Sequence, residues 1–207
     1  MKFENILPQE IEKRSFEIIT EELGSIELDN ANADVIKRVI HTTADFEYVN
    51  NLCFSTDAVK IAREAIRSGA SIMTDTKMAS VGINAGKLSK FGGKVYCFMS
   101  DDDVAKMANE NGTTRATACM EKATTIDEPL IIAIGNAPTA LIKLDILVKS
   151  GKIKPRLIIG VPVGFVNVVQ SKELIMNLGI PYIVAKGRKG GSNVAAAICN
   201  ALIYGIA

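Results

Sequence analysis

Leu130-Ile131-Ile132-Ala133-Ile134-Gly135-Asn136-Ala137-Pro138-Thr139 is the stretch whose reading decides the fold. An apolar run with no polar alternation describes a strand buried on both faces, and the glycine-led turn after it delivers Pro138 to the first turn of a helix. The pattern recurs along the chain. Ser71–Met73, Val95–Phe98, Leu157–Gly160 and Tyr182–Val184 read as further strands with helical segments between them. Strands that alternate with helices in this way predict a doubly wound α/β fold, a mainly parallel sheet with helices on both faces and right-handed crossovers. Ahead of it lie N-terminal helices. Ile11, Phe16, Ile18, Ile19 and Leu23 recur at helical spacing after Pro8, and a second helix is expected from about Asn30 to Ile40, capped by Asp29 or Asn30. Val35, Ile36, Val39 and Ile40 face inward from it, which places His41 at its C-terminal end.

With 207 residues, 48% of them hydrophobic, the chain has material for a sizeable core and is expected to form one domain, 1–207. Its 24 basic and 23 acidic side chains leave a net charge of 24 − 23 = +1 with no long block of one sign, so neither nucleic acid nor a membrane surface is an expected partner. The longest apolar runs fall short of the roughly 18 to 20 residues of a membrane span, and the N-terminus carries acids where a signal peptide would be apolar. A cytoplasmic protein is expected. Cys53, Cys97, Cys119 and Cys199 are scattered, without the close pairs of a zinc or redox site, and the single histidine excludes mechanisms that need two imidazoles.

In a doubly wound sheet the ligand crevice lies beyond the carboxyl ends of the strands. The segments there are Thr74-Asp75-Thr76-Lys77-Met78, Gly135-Asn136-Ala137-Pro138-Thr139-Ala140, Val161-Pro162-Val163-Gly164-Phe165 and Lys186-Gly187-Arg188-Lys189-Gly190-Gly191-Ser192. Backbone N–H groups of the Gly135–Thr139 turn suit an anion, although a well-capped junction without a ligand explains the turn equally well. The same pair of readings applies to Gly190-Gly191-Ser192, where Arg188 and Lys189 add weight to carboxylate or phosphate binding. His41 at a helix C-terminus is either a proton donor, its cationic form favoured by the dipole, or a ring that only caps the last carbonyls. Arg115 in the first turn of a helix runs against the dipole and marks either a ligand or a surface charge. Asp101, Asp102 and Asp103 look like a metal cluster but read as an N-cap followed by acids in the first turn.

Taken together, Arg14-Ser15-Phe16, Val39-Ile40-His41-Thr42-Thr43-Ala44-Asp45, Asp75-Thr76-x-Met78 with Gly82-Ile83, Gly135–Leu141, Gly160–Val166 with Ser171-Lys172, and Gly187-Arg188-x-Gly190-Gly191-Ser192 resemble the precorrin-8X (cobalt-precorrin-8) methylmutase family. The resemblance implies an intramolecular shift of a methyl group between adjacent ring-C carbons of an anionic tetrapyrrole, giving hydrogenobyrinic acid or its cobalt form in cobalamin biosynthesis. It implies no metal and no other cofactor, His41 as the catalytic acid, and a homodimer with the site at its interface. Substrate contacts are expected from Ser15, Thr42, Thr43, Arg115, Asn136, Thr139, Gly164, Arg188, Gly190, Gly191 and Ser192, and Asp45 or a threonine hydroxyl is a candidate to orient His41. Two other functions compete. One is a tetrapyrrole carrier that performs no chemistry; the other, from fold analogy, is an enzyme of nucleotides or phosphate esters, disfavoured because no phosphate-loop or dinucleotide fingerprint is present.

Overall fold

The computed structural model describes residues 4–206. After a 3-10 turn at Pro8–Glu10 the chain runs through α1 (Ile11–Leu23), α2 (Ala33–Thr43), α3 (Tyr48–Asn51), β1 (Leu52–Phe54), α4 (Ala58–Arg67), β2 (Ser71–Thr74), α5 (Lys77–Gly82), α6 (Ala85–Ser89) and β3 (Val95–Tyr96). It continues with α7 (Asp102–Glu110), α8 (Arg115–Ala123), β4 (Leu130–Ile134), α9 (Pro138–Lys149), β5 (Leu157–Gly160), α10 (Val168–Met176), β6 (Tyr182–Ala185) and α11 (Ser192–Tyr204). The strands form one sheet in the order β1-β6-β5-β4-β2-β3. All neighbours are parallel except β1, which pairs antiparallel with β6.

Period-two alternation divides the strand side chains between two cores. Ile72, Ile131, Ala133, Leu157, Ile159, Ile183 and Ala185 join residues of α1, α2, α4, α5, α6 and α11 on one face. Met73, Leu130, Ile132, Ile134, Ile158 and Val184 join residues of α7, α8, α9 and α10 on the other. Helices on both faces are what the continuous apolar runs of the central strands require, because neither face is left to water.

Three expectations need correction. β1 is absent from the sequence reading because Leu52-Cys53-Phe54 is only three residues long, follows a helical turn directly and takes its ladder from β6, far away in sequence. β3 stops at Tyr96 rather than Phe98. The second helix is shifted: it spans Ala33–Thr43, its N-cap position is Asn32, and no side chain caps it. The Asp29 carboxylate instead accepts from the Ala31 N–H at 3.1 Å and from the Asn32 side-chain amide at 2.6 Å, stabilising the turn ahead of the helix. Side-chain caps do begin other helices, from Thr76 on α5, Asn84 on α6 and Thr114 on α8.

Ile131 and Ile132 are neighbours on β4, wholly buried, and belong to opposite cores. Truncating either to alanine is expected to cost about 2–5 kcal/mol in urea unfolding, with similar values for the two. A near-zero cost for one of them would show that its face is not covered in solution.

Candidate active site

The segments that follow β2, β4, β5 and β6 meet at the carboxyl edge of the sheet, held by polar contacts within the chain. Asp75, at the end of β2, is 1% exposed, and its carboxylate accepts the backbone N–H groups of Gly135 (2.8 Å), Asn136 (2.9 Å) and Ala137 (2.7 Å). Burial pushes this carboxyl above the usual carboxylate range, while the three donors and the adjacent start of α9 pull it back. The anion place read from the Gly135–Thr139 turn is therefore filled by the protein's own carboxylate. These three N–H groups are thereby spent, whereas the Asn136 side chain is exposed.

Beside it, the Thr76 and Ser192 hydroxyls lie 2.8 Å apart, and a Cβ on Gly135 would stand 2.7 Å from the Ser192 Cα, so glycine is needed for the two turns to touch. Gly190 is the second such place. Its φ is +154°, and a Cβ there would lie 2.1 Å from the Val161 carbonyl oxygen, which also accepts the Gly191 N–H at 2.9 Å. Gly164 donates its N–H to the Arg188 carbonyl at 3.2 Å.

A buried cation organises the last loop. Lys172 of α10 is 1% exposed and donates to the carbonyls of Gly187 at 2.9 Å and Lys189 at 2.8 Å. Burial pulls its ammonium down to about 8. Lys189 is not free for a ligand as the sequence suggested: it donates to Asp45 at 2.5 Å and pairs with Glu47 at 2.7 Å. This pairing joins the loop after β6 to the turn that follows α2.

Among the expected contacts, Arg115, Asn136, Thr139, Gly164, Arg188, Gly190, Gly191 and Ser192 all fall on this edge or on its border. Arg115 starts α8, and its neighbour Thr114 lies 3.0 Å from the Thr139 hydroxyl across to α9. Arg188 is exposed, its guanidinium 5.3 Å from the ring centre of Phe165, which is 79% exposed. Arg115 and Arg188 make no ion pair among the described residues.

Ser15, His41, Thr42 and Thr43 form a second group on α1 and α2, joined to the first through Asp45 and Lys189. The Ser15 hydroxyl donates to the Ile11 carbonyl at 2.9 Å. Thr42 and Thr43 donate to the carbonyls of Arg38 and Val39 at 3.0 Å and 2.8 Å, and Asp45 serves Lys189, so none of the three candidates orients His41. The exposed imidazole has no hydrogen bond among the described residues; it stacks on Phe16 with ring centres 5.3 Å apart and planes 17° apart. Asp101 stands at the N-cap position of α7 with Asp102 and Asp103 in its first turn, but its side chain makes no cap hydrogen bond: Asp101 and Asp103 are instead engaged by Lys122 at 2.7 Å each. Asp75, Lys172 and Phe16 were visible in the sequence only as members of the quoted segments, since their partners lie on other elements.

A family model described as Precorrin-8X methylmutase matches residues 10–205. The cobalt-precorrin-8 methylmutase of Priestia megaterium is 45% identical over 197 residues, covering 95% of this chain and 88% of that protein. That of Leptospira interrogans is 42% identical over 205 residues, covering 95% of this chain and 93% of its own. A crystal structure of the precorrin-8X methylmutase from Thermus thermophilus superposes with a TM-score of 0.86 at 37% identity, covering 94% of this chain and 96% of that one.

Replacing Asp75 by alanine leaves three N–H groups without their acceptor and is expected to lower stability by roughly 3 kcal/mol or more, read as a lower urea midpoint at unchanged slope. Lys172 gives a pH signature. Below about 8 the ammonium is charged in folded and unfolded chains alike, and the folded state carries the full desolvation cost. Between about 8 and 10.5 only the unfolded chain retains the proton, so this position's contribution to stability rises with pH. Lys172→Met is expected to flatten that rise; an unchanged slope would show that the ammonium titrates as if in water.

Proposed function

The chain belongs to the precorrin-8X methylmutase family, and we propose that it is the isomerase that moves a methyl group between adjacent ring-C carbons of precorrin-8X or cobalt-precorrin-8, with His41 as general acid. The observation that carries the reading of His41 is its setting. The protein's one histidine stands exposed, without a hydrogen bond among the described residues, at the end of the helix whose following turn Lys189 ties to the loop after β6.

The chemistry asks little more of the protein. A proton lent to a ring-C nitrogen draws electron density from the macrocycle. The methyl leaves one carbon with its bonding pair and forms the new bond to the neighbouring carbon, and the proton is then returned. Substrate and product have the same mass, and no external acceptor takes part. Both reacting centres lie in one molecule, so proximity is already supplied, and the protein's tasks are to hold the pigment and place the proton.

Arg115 and Arg188, without carboxylate partners among the described residues, serve the acidic side arms of the pigment, with the Asn136 amide and the exposed helix edges beside them. A second copy of the chain completes the site in this proposal. Met78 and Val81 of α5 and Phe165 and Val166 after β5 are large apolar side chains left exposed on elements bordering the edge, and a partner subunit would cover them. Four free cysteines accord with a reducing cytoplasm.

Incubation with metal-free and with cobalt-loaded precursor is expected to change the pigment's spectrum without changing its mass, and the preferred form identifies the natural substrate. His41→Ala is expected to slow the conversion by roughly a hundredfold or more. Its stability should stay within about 0.5 kcal/mol, because the ring is exposed. Pigment returned unchanged by the native protein would instead support a carrier, and near-normal turnover by the variant would remove His41 from the mechanism. Light scattering is expected to report a dimer.

A further inference from the structure

Catalytic histidines are commonly oriented by a hydrogen bond from one ring nitrogen to a carboxylate or carbonyl, which fixes the tautomer and occupies that nitrogen. Among the described residues nothing of the kind serves His41. Thr42 and Thr43 spend their hydroxyls on their own helix, and Asp45 is engaged by Lys189. What the ring does have is a face: Phe16 of α1 lies nearly parallel to it, 5.3 Å between centres and 17° between planes.

Phe16 is in turn held in place. The Arg38 guanidinium sits 4.8 Å from its ring centre and also lies over Tyr204 of α11 at 5.2 Å. Arg38 forms an ion pair with Glu12, one turn ahead of Phe16 on α1. The stack therefore has its own support from α1, α2 and α11, independent of the carboxyl-edge loops.

We propose that Phe16 is the positioning residue for His41, fixing the plane of the imidazole by stacking while leaving both ring nitrogens open toward the substrate. This rests on the reading of His41 as the proton donor. The physical consequence follows from the geometry of stacking. Contact between parallel faces restricts tilt of the imidazole but takes up no lone pair and no N–H. Either nitrogen can then carry the transferred proton.

Because the chain has one histidine, its imidazole C–H resonances need no assignment. In the native protein they are expected upfield of a free imidazole through the Phe16 ring current. Phe16→Leu should abolish that upfield displacement and lower kcat by roughly tenfold to a hundredfold with KM changed less than about twofold, since the acid is misplaced while pigment contacts persist. Phe16→Tyr, which keeps a stacking face, should restore both readouts. Loss of the displacement with kcat unchanged would overturn the proposal, as would a rise in KM alone, which would make Phe16 a pigment contact. A Phe16→Leu spectrum identical to the native one would show that the rings do not stack in solution. Failure of the general-acid reading is separate: it would show as turnover by His41→Ala, whatever the resonances of the Phe16 variants do.

Discussion

The arrangement of the site depends on one buried carboxylate. Asp75 leaves the end of β2 and takes the three N–H groups that open the turn between β4 and α9. Those donors precede a helix that begins with proline, so no residue of the helix itself could satisfy them, and the positive end of the helix dipole adds to their pull on an anion. Adjacent strands are thereby locked at their carboxyl ends, and Asn136, Thr139 and the start of α8 are carried to fixed places. An interior carboxylate is costly unless its lone pairs are filled, and here they are filled by the groups that most need an acceptor.

Lys172 is the counterpart of opposite sign. Its ammonium, equally buried, gathers carbonyls of the loop after β6, and the glycine contact of that loop with Val161 gathers the exit of β5. Two opposite charges inside the fold thus shape four loops without contributing net charge to the surface. A protein of net charge +1 can therefore face an anionic pigment: the loop framework consumes its own polar groups, while Arg115 and Arg188 at the edge make no ion pair among the described residues.

His41 stands apart from this framework. Its support is the Phe16 ring, itself braced by the Arg38 guanidinium, and the turn after its helix reaches the loops through Asp45 and Lys189. Separation of His41 from the carboxyl-edge loops keeps its ring nitrogens out of the hydrogen-bond framework that holds those loops.

The sequence by itself determined the α/β class, the central strands, the helices that separate them and the segments of chain that meet at the carboxyl edge, because burial on both faces leaves unbroken apolar runs and turns into helices need glycine and proline at set places. It also singled out His41, by composition as much as by motif. Tertiary structure alone decided the rest: that Leu52–Phe54 is an antiparallel edge strand, that the Gly135–Ala137 donors are spent on Asp75, that Lys189 belongs to Asp45 and Glu47, and that His41 leans on Phe16 rather than on a hydrogen bond. Each of these joins residues far apart along the chain. Local pattern records what a residue prefers, whereas its partner is set by which elements the packing brings alongside.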